Sequence, residues 1–268
     1  MSDKNKNHWN NRAASYSDYN HSERQMARLT ADPANAFHPT TWALLRRCLP
    51  DLRGLNVCVP SSGDNHTVFA FAMLGARVTS CDISENQLAN AARVARQYSW
   101  DASVDFVCAD TMKLAGLPDG AYDFVYTSNG VHVWIDDLPG MYRSVARVLR
   151  TGGLYLMHEI HPFLRPFDDK VMVKQPYDDV GPHDSDTETT FSWRVMDILN
   201  ALLDAGLNIK HIEEMFAEKR YDEPFWIPYH EIEQGATATR EEVDSMHDWR
   251  HNPLAALPNW LAVAARKG

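Results

Sequence analysis

The sequence predicts an α/β fold: a seven-stranded, mostly parallel sheet with helices on both faces and an antiparallel last strand. Three observations carry this expectation. From Leu55 onward, short apolar runs alternate with segments of helical period. The runs are close to continuous in apolar residues, as in strands covered on both faces, rather than alternating as in a half-solvated sheet. The helical segments are bounded by recognisable start and stop residues, so the pattern reads as strand–helix–strand units whose right-handed crossovers join parallel strands.

Residues 1–50 come first, a polar stretch interspersed with Trp9, Tyr16 and Tyr19. It reads either as a frayed tail or as a helical flap over a site, and composition leaves both open. His38-Pro39-Thr40 opens a helix running to Leu49, with proline in its first turn. Strands are expected over 55–59, 77–81, 104–108, 124–127 and 154–158. Ser84-Glu85-Asn86-Gln87 is a capping-box sequence, followed by Leu88, Ala91, Ala92 and Ala95 on one helix face. A helix over 138–149 is closed by Thr151-Gly152-Gly153, where glycine supplies the C-terminal cap. Residues 162–190, rich in Pro, Asp and Thr without periodicity, form an insertion of loop or lid character. A helix over 192–204 capped by Gly206, a strand over 207–216, a second insertion over 218–258 and a strand over 260–265 complete the chain. The organisation expected is a flap, 1–50, on one domain, 51–268, that carries both insertions.

Composition narrows the function. The formal net charge of −10 argues against a nucleic-acid partner, since neutralising phosphates needs clustered Lys and Arg. No window approaches the length of apolar chain that spans a bilayer, so no membrane partner is expected. The opening MSDKNKNHWNNR lacks the apolar core of a secretory signal. Cys58, Cys81 and Cys108 fall inside expected strands at spacings that match no zinc or redox motif, so a reduced, cytoplasmic setting is expected.

The chemistry concentrates between Leu55 and Asp82, a strand, a small-residue turn, a helix, a second strand and a carboxylate. That is the order of parts that holds an adenosine-bearing cofactor at the edge of a parallel sheet. Asp82, about 20 residues beyond the turn, is placed to accept from ribose hydroxyls. Asp110, at the end of the third strand, is placed to accept from the adenine amine. Asp64 or Asn65 caps the intervening helix. The turn itself, Pro60-Ser61-Ser62-Gly63, has one glycine where a dinucleotide pyrophosphate needs a full set, which disfavours a nicotinamide cofactor.

These motifs resemble those of class I S-adenosylmethionine-dependent methyltransferases, of the small-molecule kind related to ubiquinone-biosynthesis methyltransferases. The likeness runs from Leu55 to Ile160. VCVPSSGDN stands in the place of a glycine-rich first motif, with Val59 where an acid is common and Ser61 and Asn65 where glycines are common. Both replacements are small, and asparagine tolerates positive φ, so the turn is expected to survive. The missing acid at Val59 changes how the methionine amino group is held. ARVTSCDIS, VCADTMKL, YDFVYTSNGVHVWID and VLRTGGLYLMHEI are similar to the motifs of the second to fifth strands, with Thr151 in place of proline. The resemblance implies a Rossmann-like sheet, S-adenosyl-L-methionine as cofactor, and a small-molecule substrate methylated at O, N or C. It implies cofactor contacts from Ser61, Gly63, Asn65, Asp82, Ile83, Asp110, Thr111 and Ser128, and a catalytic role for His132. A cofactor-binding regulator without transferase activity, and less so a nucleic-acid methyltransferase, are the alternatives.

On the substrate side, Asn129 and His132 follow the fourth strand, and His158, Glu159 and His161 cluster at the end of the fifth. In an extended segment His158 and His161 point to opposite sides, which disfavours a metal site there. Phe163, Phe167, Tyr177, Trp193, Phe225, Trp226 and Tyr229 either line an apolar pocket or close the insertions onto the sheet. Tyr16 or Arg12 is a candidate to reach the methionine end of the cofactor.

Overall fold

In the computed structural model, which describes residues 3–168, 170–219, 221–222 and 239–268, five parallel strands form the frame. They are β1 (Asn56–Pro60), β2 (Arg77–Asp82), β3 (Val104–Cys108), β4 (Tyr122–Ser128) and β5 (Leu149–Ile160). A short ladder, β6 (His183–Asp184) with β7 (Thr189–Thr190), lies in the first insertion, and β8 (Leu207–Met215) and β9 (Trp260–Lys267) extend the sheet. The seven-stranded order is β3-β2-β1-β4-β5-β9-β8, with β9 antiparallel to both of its neighbours. The chain thus reverses direction across the sheet between β1 and β4. A crevice at such a switch point, beyond the C-terminal strand ends, is where α/β sheets bind ligands.

Helices α1 (Asp3–Asn20), α2 (Glu23–Ala31), α3 (Pro39–Cys48), α4 (His66–Met73), α5 (Glu85–Gln97), α6 (Leu138–Val148) and α7 (Val195–Asp204) surround the sheet. One face buries Phe69, Phe71, Phe124, Tyr126 and Leu156, and the other buries Val125, Tyr142, Val145, Tyr155 and Met157. This two-sided burial is the reason the strands lack polar alternation. The caps fall where the side chains dictate. Asn65 accepts from Thr67 N at the start of α4, Ser84 Oγ from Gln87 N at the start of α5, and His38 Nδ1 from Thr40 N at the start of α3.

One local expectation gives way. Gly152 and Gly153 do not cap α6; that helix ends at Val148, and the glycines lie in the first part of β5, where the register against β4 jumps from Tyr122↔Leu149 to Phe124↔Leu154. Gly152 has φ 72°, and a Cβ on Gly153 would lie 2.8 Å from Arg150 O, so both glycines serve an irregularity that realigns the strand. Of the two readings of the N-terminal stretch, helix from Asp3 fits the flap and not the frayed tail.

Candidate active site

The turn after β1 is held by side chains from three elements. Ser61 has φ 48° and Gly63 φ 50°, so the left-handed conformations fall on these two residues, while Asn65 keeps φ −68° and spends its side chain on the cap. Ser61 Oγ is 2.7 Å from Thr111 Oγ1, which ties the strained serine to the end of β3. Ser62 Oγ pairs with Ser80 Oγ at 2.8 Å, and Ser62 N donates to Cys81 O at 2.9 Å. Asn65 Nδ2 donates to Ser128 Oγ at 3.1 Å, joining the turn to the end of β4. Serines therefore take over by hydrogen bonding what glycines otherwise permit by flexibility.

Asp82 ends β2 inside this framework. One of its carboxylate oxygens accepts from Gly63 N and the other from Ser84 N, both at 2.8 Å. Burial pushes its carboxyl up to about 6 despite these bonds. Asp64 is also buried. Asn20 Nδ2 donates to its Oδ1 at 2.9 Å, and its Oδ2 has no hydrogen-bond partner. Its carboxyl is likewise pushed up to about 6 by burial.

A cavity of about 580 Å³ opens over this turn, a volume ordinary for a small-molecule site. Ser61, Gly63, Asn65, Asp82, Ile83 and Ser128 all line it, as does Asp64. Trp9, Trp134, Tyr221 and Trp260 add aromatic rings to its lining. Helix α1 forms one wall, docked on the start of α5 by polar contacts. Ser84 Oγ and Asn86 N donate to Asn10 Oδ1 at 2.7 and 3.2 Å, Asn90 Nδ2 donates to Ala13 O at 3.0 Å, and Lys6 pairs with Glu85. Arg12 and Tyr16 on this helix reach the cavity, with the guanidinium carbon 5.5 Å from the tyrosine ring centre. The first insertion closes the same side, where Thr189 exchanges two hydrogen bonds with the Asn5 side chain and Glu188 and Thr190 border the cavity.

Other expected residues stand behind the wall. Thr111 reaches the site only through Ser61, and Asp110 spends Oδ1 on Met112 N at 3.0 Å, capping its own turn. Neither borders the cavity. His132, between the wall residues Val131 and Val133, turns its ring inward, with Nε2 2.8 Å from Tyr142 Oη and Nδ1 3.8 Å from Glu159 Oε2. Burial lowers its imidazole to about 3 and raises the Glu159 carboxyl to about 7. Glu159 Oε1 accepts from Val131 N at 3.0 Å, so the pair braces the loop Asn129–Gly130–Val131.

His158 is fully buried, bonded to Thr41 Oγ1 at 2.9 Å and stacked on Trp260, whereas His161 pairs with Glu214 at 3.0 Å. Among the described residues no group of three or more His, Cys, Asp or Glu is arranged to hold a metal. None of Phe163, Phe167, Tyr177 and Trp193 borders the cavity. Phe163 packs on Phe167 and Tyr177, and Trp193 Nε1 donates to Ile135 O. Phe225, Trp226 and Tyr229 lie outside the described residues. Sequence reasoning missed Trp134, Tyr221 and Trp260 as wall residues. Trp134 lies in a motif already singled out; nothing local marks the other two.

Comparison with known proteins agrees with this architecture. Residues 60–157 match the methyltransferase domain family. Over 110 residues the chain is 31% identical to a sterol 24-C-methyltransferase of Gibberella zeae, covering 41% of this chain and 28% of that protein. A sterol 24-C-methyltransferase of Aspergillus fumigatus is 31% identical over 84 residues, 31% of this chain and 22% of that one. The matched segment thus spans less than a third of either fungal relative. The fold superposes on an S-adenosylmethionine-dependent methyltransferase from Mesorhizobium loti with a TM-score of 0.59 and 25% identity, covering 84% of this chain and 97% of that one. A geranyl diphosphate C-methyltransferase from Streptomyces coelicolor shares the fold at a TM-score of 0.56 and 16% identity, covering 86% and 79%. In sheet order and in the matched segment the chain is thus similar to S-adenosylmethionine-dependent methyltransferases. No helix among the described residues is long and apolar enough to cross a membrane.

Proposed function

We propose that the protein transfers the methyl group of S-adenosylmethionine to a small, largely apolar or planar molecule at O, N or C. The observation that carries this reading is the continuity of one cavity from the Ser61–Asn65 turn and Asp82 to an aromatic wall of Trp9, Trp134, Tyr221 and Trp260. The residues fit the cofactor. The turn is shaped by two left-handed residues, a carboxylate stands at the end of β2, and a buried carboxylate oxygen at Asp64 lacks a partner. Bound there, S-adenosylmethionine supplies an electrophilic methyl group.

The chain's own part is mainly placement, since an in-line transfer gains most from holding its reactants in contact. Asp82 takes the ribose hydroxyls through the lone pairs left by Gly63 N and Ser84 N, with Ile83 and Ser128 flanking. Thr111 holds Ser61, and Asp110 shapes the turn after β3 near the adenine end. His132 acts as a positioning residue, bracing Val131 with Tyr142 and Glu159. Residues 1–50 form the cover and 51–268 the transferase domain, with the insertion at 162–190 closing the mouth. The narrower kinship with ubiquinone-biosynthesis enzymes rests on the motifs between Leu55 and Ile160. Relatives named for sterol and geranyl diphosphate methylation support an acceptor with a large apolar body.

The test is transfer of label from methyl-labelled S-adenosylmethionine to a panel of phenols, quinols, amines and isoprenoids. Transfer to at least one acceptor is expected. Tight cofactor binding with no transfer across the panel would favour the regulator reading.

A further inference from the structure

Asp64 is a buried carboxylate with one oxygen left unpartnered. It is 4% exposed, borders the cavity, and leaves Oδ2 without a partner while Oδ1 accepts from Asn20. It is not needed as a helix cap, because Asn65 accepts from Thr67 N at the start of α4. None of the groups around it hydrogen-bonds Oδ2. His21 Nδ1 stands 3.9 Å from Oδ2 but is bonded to Ser17 Oγ, and burial lowers its imidazole to about 4. His66 turns Nε2 to Asn20 O and is lowered to about 4 by burial. Arg93, from α5, favours the charged form from a distance but gives its donor to Ser17 Oγ at 3.3 Å, so Oδ2 stays without a hydrogen bond. Asp82, the other carboxylate over the turn, adds negative charge.

A half-satisfied buried carboxylate costs stability unless a cation completes it. The cavity side is the direction from which one can arrive. Val59, where an acid is common in the motif this chain resembles, is a 1% exposed residue of the apolar core and cannot supply the charge. We propose that Asp64 takes the α-ammonium group of the methionine half of S-adenosylmethionine, placing five positions further along the chain the charge that is missing at Val59. This rests on the proposed function above. It makes Asp64 a ligand-binding residue selected for an amino acid tail, and it distinguishes this site from one that binds only the adenosine half.

The experiment is calorimetric titration of the full chain with S-adenosylhomocysteine and with its deaminated analogue, in which hydrogen replaces the α-amino group. Wild type is expected to bind the first at least tenfold more tightly. Asp64→Asn is expected to lose at least tenfold for S-adenosylhomocysteine and less than threefold for the analogue, and Asp64→Ser, a second variant should the first not fold, to behave alike. Equal binding of the two ligands by wild type, or equal weakening of both in the variants, would overturn the assignment of Asp64 while leaving the cofactor reading in place. Failure of wild type to bind either ligand would overturn the cofactor reading itself.

Discussion

The half-satisfied carboxylate at Asp64 has a consequence that needs no ligand. Its folded-state value is raised from 3.8 to about 6, with burial the first cause. A carboxyl raised in this way binds its proton more tightly in the folded chain than in the unfolded one. Its contribution to stability is therefore complete below the ordinary carboxylate value and is lost as pH rises through about 6. The shift corresponds to about 3 kcal/mol. Asp64→Asn keeps the oxygen that accepts from Asn20 and removes the titration. Its stability relative to wild type should therefore rise by about 2.4 kcal/mol between pH 4 and pH 8, with most of the change between pH 4 and pH 6. His21, His66, Arg93 and Asp82, the charged and titratable neighbours, are present in both proteins, so their own titrations largely cancel in the difference. Thermal or urea melts of both proteins at matched ionic strength read this out. At about 2–4 °C per kcal/mol for a chain of this size class, the melting temperatures should diverge by about 5–10 °C across the range. Parallel pH profiles would refute the reasoning, because they would mean that the carboxylate is already balanced.

Three further outcomes test the framework. Asp82→Ala orphans the N–H groups of Gly63 and Ser84, each worth about 1–3 kcal/mol, partly offset by relief of the carboxylate's own burial. Loss of stability in melts, together with at least a tenfold loss of S-adenosylmethionine affinity, is expected, and unchanged affinity would remove the ribose assignment. Gly63→Ala places a Cβ at φ 50° and 2.2 Å from Gln87 Oε1, so Gln87 must move and the turn should lose about 1–2 kcal/mol. A melting temperature equal to wild type would show that the turn is not held as described. His132→Ala removes the 2.8 Å partner of Tyr142 and leaves a hole, costing about 2–4 kcal/mol in urea melts while cofactor affinity stays within about twofold. A large loss of affinity without loss of stability would give that ring a direct contact instead.

The parts of the fold that were legible in the sequence are those specified locally. Apolar runs placed all seven strands of the main sheet, and Asn65, Ser84 and His38 marked helix starts because a side chain two or three residues away from its backbone partner needs no distant information. Asp82 was legible for the same reason, by its place at a strand end. Local signals also misled. Gly152-Gly153 looked like a helix stop and is a strand irregularity, set by pairing with β4. Asp110 sits at the expected position, and its Oδ1 also accepts from Met112 N. The N-terminal flap was expected over a site, but composition left a frayed tail open as well, because Asn10, Asn20 and Lys6 fix α1 through hydrogen bonds rather than through an apolar stripe. The aromatic wall drew Trp9, Trp134, Tyr221 and Trp260 from distant points of the chain, and only the folded sheet brings them together.

The central claim is that the crevice over β1, β2 and β4 holds S-adenosylmethionine. Calorimetric titration of the wild-type chain with S-adenosylmethionine, and in parallel with NADH, tests it most directly. The account predicts saturable binding of one S-adenosylmethionine per chain below millimolar concentration, displaced by S-adenosylhomocysteine, and no comparable signal with NADH. A folded protein that shows no heat with S-adenosylmethionine at millimolar concentration would contradict it.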